Sequence, residues 1–379
     1  MKALLQKVSA DQPSDKYVVW MVLILSAIGV VAVYSAITFL ADTKAGGDTE
    51  RLLLRHVGRI GLAIGAMLLF SRIDYRLLAR LSKVALVFSM ALLIAVQLVG
   101  VASGGAMRWL RVGSFGFQPS DLAKLSLILY VGVMLARKQA YIKSFDRTFV
   151  PIFVWVLITC VLIGMEDLST AAMLLVTVFV MCFVGRISLV HLGGLAALGA
   201  VLAVVMLMAS PQRAARLESY LGAKIFPHTN SEEVFDPQAE GYQAEQARIA
   251  FAMGGLTGVG PGKSVQRDFL PAPYNDFIFA IIAEEYGMIG ALALLGAFVA
   301  LLFRGFLRIA RYAPDPLGLF IGVGFTTSIT LYAFVHAAVS CGLLPVTGLP
   351  MPLVSYGGTS MLVTGMMIGT LLNVSRQSE

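Results

Sequence analysis

The chain has 379 residues, 58% of them hydrophobic and only 13% charged, with a mean hydropathy of +0.82. A water-soluble domain of this length carries about twice that charged fraction, so a soluble globule is excluded and the bilayer is the solvent to be satisfied. Net charge is +7, and on such a chain its placement matters more than its total.

The length suits about ten helical spans of about 20 residues. The segments are too long and too continuously apolar for barrel strands. An all-α polytopic membrane protein is therefore expected, with residues 1–379 as a single membrane domain. Residues 1–18 are polar (Lys2, Lys7, Asp11, Asp15, Lys16). They lack the short apolar core and small-residue cleavage site of a secretory signal, so the first span is read as an uncleaved anchor.

Hydropathy predicts spans at 17–40, 54–71, 77–100, 119–136, 148–165, 170–185, 187–209, 276–303, 315–341 and 355–374. With the N-terminus inside, the inner connections hold Arg72, Arg76, Arg80 and Lys83, then Arg137, Lys138, Lys143 and Arg147, then Arg186, then Arg304, Arg308 and Arg311, and finally Arg376. The short outer ones hold mainly Lys44, Arg51, Arg108 and Arg111. An even number of spans with both termini cytoplasmic accounts for this asymmetry.

Two outer connections stand apart. Residues 98–118 are rich in Gly, Arg and aromatics. Residues 210–275 form a long segment of mixed charge and several prolines, and a loop of that length is usually functional or disordered. Its middle, Gly241 to Gly255, has helical spacing and is expected to fold back onto the bundle. No strong internal repeat is visible, which weighs against the inverted-repeat plan of many transporters.

The three cysteines, Cys160, Cys182 and Cys341, lie singly in apolar stretches, where core packing is the simpler reading than a disulfide or zinc site. His191 and His336 are solitary and read the same way. Gly258-Val-Gly-Pro-Gly-Lys263-Ser264 is not a phosphate loop, because the first glycine of that motif would fall on Thr257 and no strand precedes it.

Polar residues at membrane depth are functional by default. Arg55 and His56 open span two, Lys124 lies one turn into span four, and Glu166 and Asp167 precede span six. Asp276 stands where the long loop enters span eight, with Glu284 and Glu285 about two turns deeper, roughly 12 Å away at the helical rise. Each has a plainer reading. Asp121 and Lys124 make an ordinary i, i+3 pair after a Pro119 helix start, and Asp167 and Asp276 are candidate helix caps, with Asn275 as an alternative cap. Taken together, cations and carboxylates collect at one face beside apolar helices. Such a cavity suits an amphiphile with an anionic head and a lipid tail.

At these motifs the chain resembles the SEDS family (shape, elongation, division and sporulation) of bacterial cell-wall proteins. Four blocks carry the likeness: Gly105-Ala-Met-Arg-Trp-Leu with Phe117-Gln-Pro-Ser-Asp-Leu-Ala-Lys124; Arg213-Ala-Ala-Arg-Leu with Gly241-Tyr-Gln-Ala-Glu-Gln246 and Gly254-Gly-Leu-Thr-Gly-Val-Gly260; Leu270-Pro through Asp276 to Glu284-Glu-Tyr-Gly287; and Leu344-Pro-Val-Thr-Gly-Leu-Pro-Met-Pro-Leu-Val-Ser-Tyr-Gly-Gly-Thr-Ser360. The resemblance implies ten spans with a large extracytoplasmic loop between spans seven and eight. It further implies a peptidoglycan glycosyltransferase that polymerises lipid II at the outer face of the bacterial cytoplasmic (inner) membrane. A class B penicillin-binding protein and other divisome proteins are the implied partners.

By position, Asp276 matches the family's essential aspartate. Arg108, Gln118, Lys124 and Gln246 match cavity-lining polar residues, and Asp268 matches an acidic loop position linked to activation. Arg55, Asp167 and Ser355 complete the candidate substrate-binding set, with Arg108, Lys124 and Arg55 expected at the leaving diphosphate. No cofactor is assigned; a divalent cation, Mg2+ or Mn2+, is a candidate companion of that diphosphate. The chain departs from the family pattern at Met165-Glu-Asp-Leu-Ser-Thr170, at Asp121 in place of Glu, and at Ala272, where the Leu-Pro element usually carries an acid. The Ala283-Glu-Glu-Tyr-Gly287 form is closer to the cell-division branch than to the elongation branch. The rival readings are a lipid II flippase using Glu284, Glu285 and Asp276 as a relay, the elongation-branch polymerase, and a division scaffold that only recruits a partner.

Overall fold

A computed structural model describes residues 14–43, 49–103, 106–112, 115–223, 225, 237–270 and 273–378. Lys2, Lys7, Asp11, Lys44, Gly105, Pro271 and Ala272, used in the sequence reading, lie outside these residues.

Among the described residues, helices stand at all ten expected spans. They are α1 (Lys16–Thr43), α2 (Thr49–Arg72), α3 (Tyr75–Val99), α4 (Pro119–Arg137), α5 (Val150–Glu166), α6 (Leu168–Val184) and α7 (Leu189–Met208), and, after the long loop, α10 (Ile278–Arg304), α11 (Pro316–Ser340) and α12 (Thr359–Gln377). Eight segments are long and apolar enough to cross a membrane, while α6 is a shorter apolar helix of 17 residues. The chain is thus a multi-pass helical membrane protein. Its helices α4 and α11 are the most enclosed of the candidate spans, and the others are largely open to lipid.

Local chemistry sets the helix ends. Asp74 caps α3 by accepting from the Arg76 amide, and Asp315 caps α11 by accepting from the Gly318 amide at 2.7 Å. Pro119 and Pro316 occupy first-turn positions, where a missing N–H costs nothing. One end of the bundle is tied by ion pairs, Arg76 to Asp315 at 2.9 Å and Arg304 to Asp15 at 2.6 Å.

The opposite end carries structure that hydropathy does not reveal. Residues 101–117 form a three-stranded antiparallel sheet, β1 (Val101–Ser103), β2 (Ala106–Val112) and β3 (Phe115–Phe117), with Val101 opposite Trp109 and Leu110 opposite Phe117. This sheet is an addition to the expected all-α architecture. The long loop contains α8 (Pro211–Leu221) and α9 (Pro237–Gly254). As its spacing predicts, α9 folds back: Ala247 and Ala250 pack with Leu270, Phe277, Ala280 and Ile281.

The segment after α9 repairs a broken helix. Gly287 interrupts α10 at φ +68°, ψ −170°, and within a bilayer the freed backbone groups need internal partners. The amides of Met288 and Ile289 donate to the carbonyls of Gly255 and Leu256, and the amides of Val259 and Gly260 donate to those of Glu284 and Glu285. A Cβ on Gly287 would lie 2.4 Å from the Leu256 carbonyl oxygen, so glycine is required there for both conformation and space.

Candidate active site

At the sheet-bearing end, loops and helix starts enclose a cavity of about 370 Å³. Its wall draws on β2 (Arg108, Trp109), the start of α4 (Gln118, Asp121, Lys124), the start of α6 (Asp167, Thr170), α8 (Arg216) and α9 (Gln243). The turn before α10 adds Asn275 and Asp276, α11 adds Tyr332, and residues 346–358 close one side.

Asp276 is not a helix cap. The N-cap of α10 is Phe277, and no side chain hydrogen-bonds the helix start. The Asp276 carboxylate instead faces the cavity, and its enclosed Oδ1 accepts no hydrogen bond. Burial pushes its pKa up to about 6, against the pull of the Arg108 and Arg216 guanidinium groups and with reinforcement from Asp167.

The turn that carries this acid is held from the far side of the sequence. The Ser355 hydroxyl accepts from the Met351 amide and donates to the Asn275 carbonyl, both at 2.8 Å. The Tyr356 amide donates to the Tyr274 carbonyl at 2.9 Å, and the two tyrosine rings meet edge to face. Ser355 lines the cavity, but its hydroxyl is already engaged in the protein's own backbone.

Arg108 and Asp167 meet at 3.6 Å. Asp167 also caps α6: its Oδ1 accepts from the amides of Ser169 and Thr170, and its Oδ2 accepts from the Thr170 hydroxyl. The C-terminal carbonyls of α5, which lack helical partners, receive arginines. Arg108 donates to Glu166 at 3.0 Å, and Arg213 donates to Gly164 and Met165 at 2.7 and 2.6 Å. Two helix ends with opposite dipoles thus fix both charges at the cavity rim.

Lys124 and Asp121 form the expected pair at 3.2 Å, with both side chains about 7% exposed. Asp121 Oδ2 accepts from the Thr359 hydroxyl at 2.9 Å, so the first turn of α12 joins the pair. The Lys124 ammonium stands 4.4 Å from the Tyr332 ring centroid.

Of the candidates named from sequence, Asp276, Arg108, Gln118, Lys124, Asp167 and Ser355 come together around the cavity. Arg55 does not line it. Arg55 is exposed on α2, while the next residue, His56, is buried and stacks on Tyr356, because one residue turns a helix by about 100°. Gln246 is half-buried on α9 and is also absent from the lining, whereas Gln243, a turn earlier, is part of it. Asp268 lies in a 3-10 turn (Gln266–Asp268) paired with Arg267 at 3.4 Å, away from the cavity.

The deeper acids are structural. Glu284 is fully buried and accepts from the Ser264 hydroxyl and from the amides of Val265 and Gln266. Glu285 accepts from the Ser35 hydroxyl. Neither lines the cavity. Among the described residues, no group of three His, Cys, Asp or Glu is placed to hold a metal ion.

Arg216, Gln243 and Tyr332 were not singled out from sequence. The first two lie inside quoted blocks, Arg213-Ala-Ala-Arg and Gly241-Tyr-Gln, so a signal was present. Tyr332 had none.

A multi-pass helical protein with a charged cavity closed by loops at one end of the bundle is the class this geometry defines. Residues 16–379 match the profile of the FtsW/RodA/SpoVE family, described as cell cycle protein, and the chain belongs to that family. It is 38% identical to the stage V sporulation protein E of Bacillus subtilis over 369 residues, 96% of this chain and 98% of that protein. It is 35% identical to a probable peptidoglycan glycosyltransferase FtsW of Geobacter metallireducens, over 96% of this chain and 95% of that one. Among solved structures, a chain of a peptidoglycan synthase complex described as coordinating polymerization and crosslinking superposes with TM-score 0.73 at 27% identity, covering 96% of this chain and 98% of that one. The rod shape determining protein RodA of Thermus thermophilus gives TM-score 0.70 at 26% identity, covering 96% and 97%.

Proposed function

We propose that this chain is a peptidoglycan glycosyltransferase that polymerises lipid II at the outer face of the bacterial cytoplasmic membrane, in the cell-division or sporulation branch of its family. The observation that carries the reading is the Asp276 carboxylate, enclosed at the wall of the cavity with an oxygen that accepts no hydrogen bond. Arg108 and Arg216 are the cations that act on it. A general base needs a free acceptor and a pKa near the working pH; a departing diphosphate needs fixed cations nearby.

In the reaction, the C4 hydroxyl of the acceptor GlcNAc attacks C1 of the donor MurNAc. Its proton passes to Asp276 as the new glycosidic C–O bond forms. The bond from C1 to the diphosphate oxygen breaks, and the electron pair leaves on undecaprenyl diphosphate, neutralised by Arg108 and Arg216. General-base help of this kind contributes roughly 10²–10⁴-fold in rate.

A transporter relay through Glu284 and Glu285 has no such support, since both carboxylates are consumed by Ser264, two loop amides and Ser35. The distribution of Lys and Arg over the short connections supports a cavity end that faces outward. There a class B penicillin-binding protein would crosslink the strands as they emerge. The test is polymerisation of purified lipid II by the reconstituted protein, with and without that partner. Glycan strands are expected with the partner present; lipid II movement across the bilayer without polymer would overturn the reading.

A further inference from the structure

Within the segment 346–358 that closes one side of the cavity, one glycine stands across from the acid. Gly348 and Asp276 both line the cavity. A Cβ added to Gly348 would lie 3.9 Å from Asp276 Oδ2, and no other non-adjacent atom of the described residues would come within 4 Å of it. The Oδ1 of the same carboxylate is enclosed, which makes the gap between Oδ2 and Gly348 an approach from the cavity to the acid.

Packing does not demand a glycine here. At Gly254, Gly287 and Gly365 an added Cβ would lie 2.0, 2.4 and 2.2 Å from a backbone oxygen, whereas 3.9 Å at Gly348 is ordinary van der Waals contact. Backbone conformation does not demand one either. Gly348 has φ +68°, but Leu353, further along the same segment, holds φ +64° with a full side chain. What the glycine adds is space in front of Oδ2. The wall behind that space is fixed: His336 Nδ1 donates to the Leu349 carbonyl at 2.7 Å, and Leu349 packs in a cluster with Tyr332, Val335 and Val339. Beyond it, the Met351 amide donates to the Ser355 hydroxyl at 2.8 Å.

We propose that Gly348 is a specificity-determining residue: the side chain it lacks leaves the slot through which the C4 hydroxyl of the acceptor sugar reaches Oδ2 of Asp276. The inference rests on the polymerase reading above, in which that hydroxyl passes its proton to Asp276. A hydroxyl oxygen hydrogen-bonded to a carboxylate stands about 2.7 Å from it, and a carbon in van der Waals contact needs about 3.5 Å. A methyl 3.9 Å from Oδ2 would therefore overlap a hydroxyl that approaches from the Gly348 side. A hydrogen in its place does not. Arg108, Arg216 and Asp167 act on Asp276 from other elements, and Tyr274 feels its charge from the same turn, so a substitution at 348 changes the space without changing these charges.

The experiment compares wild type, G348A, G348N and the control G222A as full chains reconstituted with a class B penicillin-binding protein and supplied with labelled lipid II. Gly222 has φ +66° and nothing within 4 Å of an added Cβ, so G222A carries the backbone penalty without filling the slot. G348A is expected to melt as G222A does and to polymerise about 100-fold more slowly, the loss that follows when a reacting group is displaced by about 1 Å. The second readout needs no turnover. The Asp276 carboxyl band in the infrared, assigned by its loss in D276N, is expected to titrate about half a unit higher in G348A, because the methyl takes water from Oδ2 and desolvation disfavours the charged form. Asparagine accepts a left-handed backbone more readily than alanine, so G348N keeps the test open if G348A does not fold, and its longer side chain is expected to cost at least as much activity. A folded G348A or G348N that polymerises at the rate of G222A would overturn the proposal. So would a slow G348A whose Asp276 titration is unmoved, because a merely structural defect has that signature. Absence of polymer from wild type would overturn the polymerase reading as well, whereas equal polymer from wild type and G348A would overturn this proposal alone.

Discussion

Ser355 and Asn275, eighty positions apart in sequence, are joined by a hydroxyl-to-carbonyl hydrogen bond of 2.8 Å. The bond fixes the turn whose next residue is Asp276. Ser355→Ala removes it and leaves the Met351 amide without its acceptor. A buried hydrogen bond is worth about 1 kcal/mol net and more when a partner is stranded. Polymerisation kcat is therefore expected to fall about ten-fold, with a smaller change in KM. Hydrogen exchange over residues 273–277 checks the cause, since faster exchange in the variant is required.

The raised pKa of Asp276 sets a pH dependence. The base works as the carboxylate, so activity is expected to climb with pH and level off above about 6, falling about ten-fold per unit below that. Stability runs the other way: a folded pKa above the ordinary 3.8 favours the protonated form, so stability is lost as pH rises from 3.8 through about 6. D276N, which cannot ionise, is expected to melt no lower than wild type at pH 8. A pH–rate profile and paired melting curves test both signs.

Glu284 is predicted to matter for folding rather than for proton movement. Glu284→Ala leaves the Val265 and Gln266 amides and the Ser264 hydroxyl without their acceptor, at a cost of about 2–4 kcal/mol. A lower melting temperature and a loosened 260–268 segment are expected. An unchanged melting temperature with lost activity would restore the relay reading.

Gly287→Ala meets both a left-handed backbone and the Leu256 carbonyl. A loss of about 2 kcal/mol or more is expected, read as a drop in thermal stability. Gly296, whose added Cβ would meet nothing within 4 Å, is the control: alanine there is expected to be neutral or mildly stabilising.

The long apolar helices were legible because a helix that crosses a membrane needs about 20 apolar residues in a row, a length and composition that eight of them have, and α9 because its periodicity survives in a polar loop. The sheet at 101–117 was not, since its strands are three to seven residues long and Gly-interrupted. The site divides along the same line. Lys124, Asp167 and Asp276 announce themselves as charges at span ends. Tyr332 is one more aromatic on an apolar helix until folding sets it beside Lys124. Glu284 misleads in the opposite sense: its depth is visible in sequence, but the loop it clasps, twenty residues upstream, is not. Helical rotation likewise separates Arg55 from His56, a distinction that a block of adjacent letters hides.

The central claim is that Asp276 is the base of a glycosyl transfer, and one measurement bears on it directly. Wild type and D276N are reconstituted with the cognate class B penicillin-binding protein and supplied with labelled lipid II, after equal folding and equal partner binding are established. The account predicts glycan strands from wild type and none above background from D276N; strands of normal length made at the wild-type rate by D276N would contradict it.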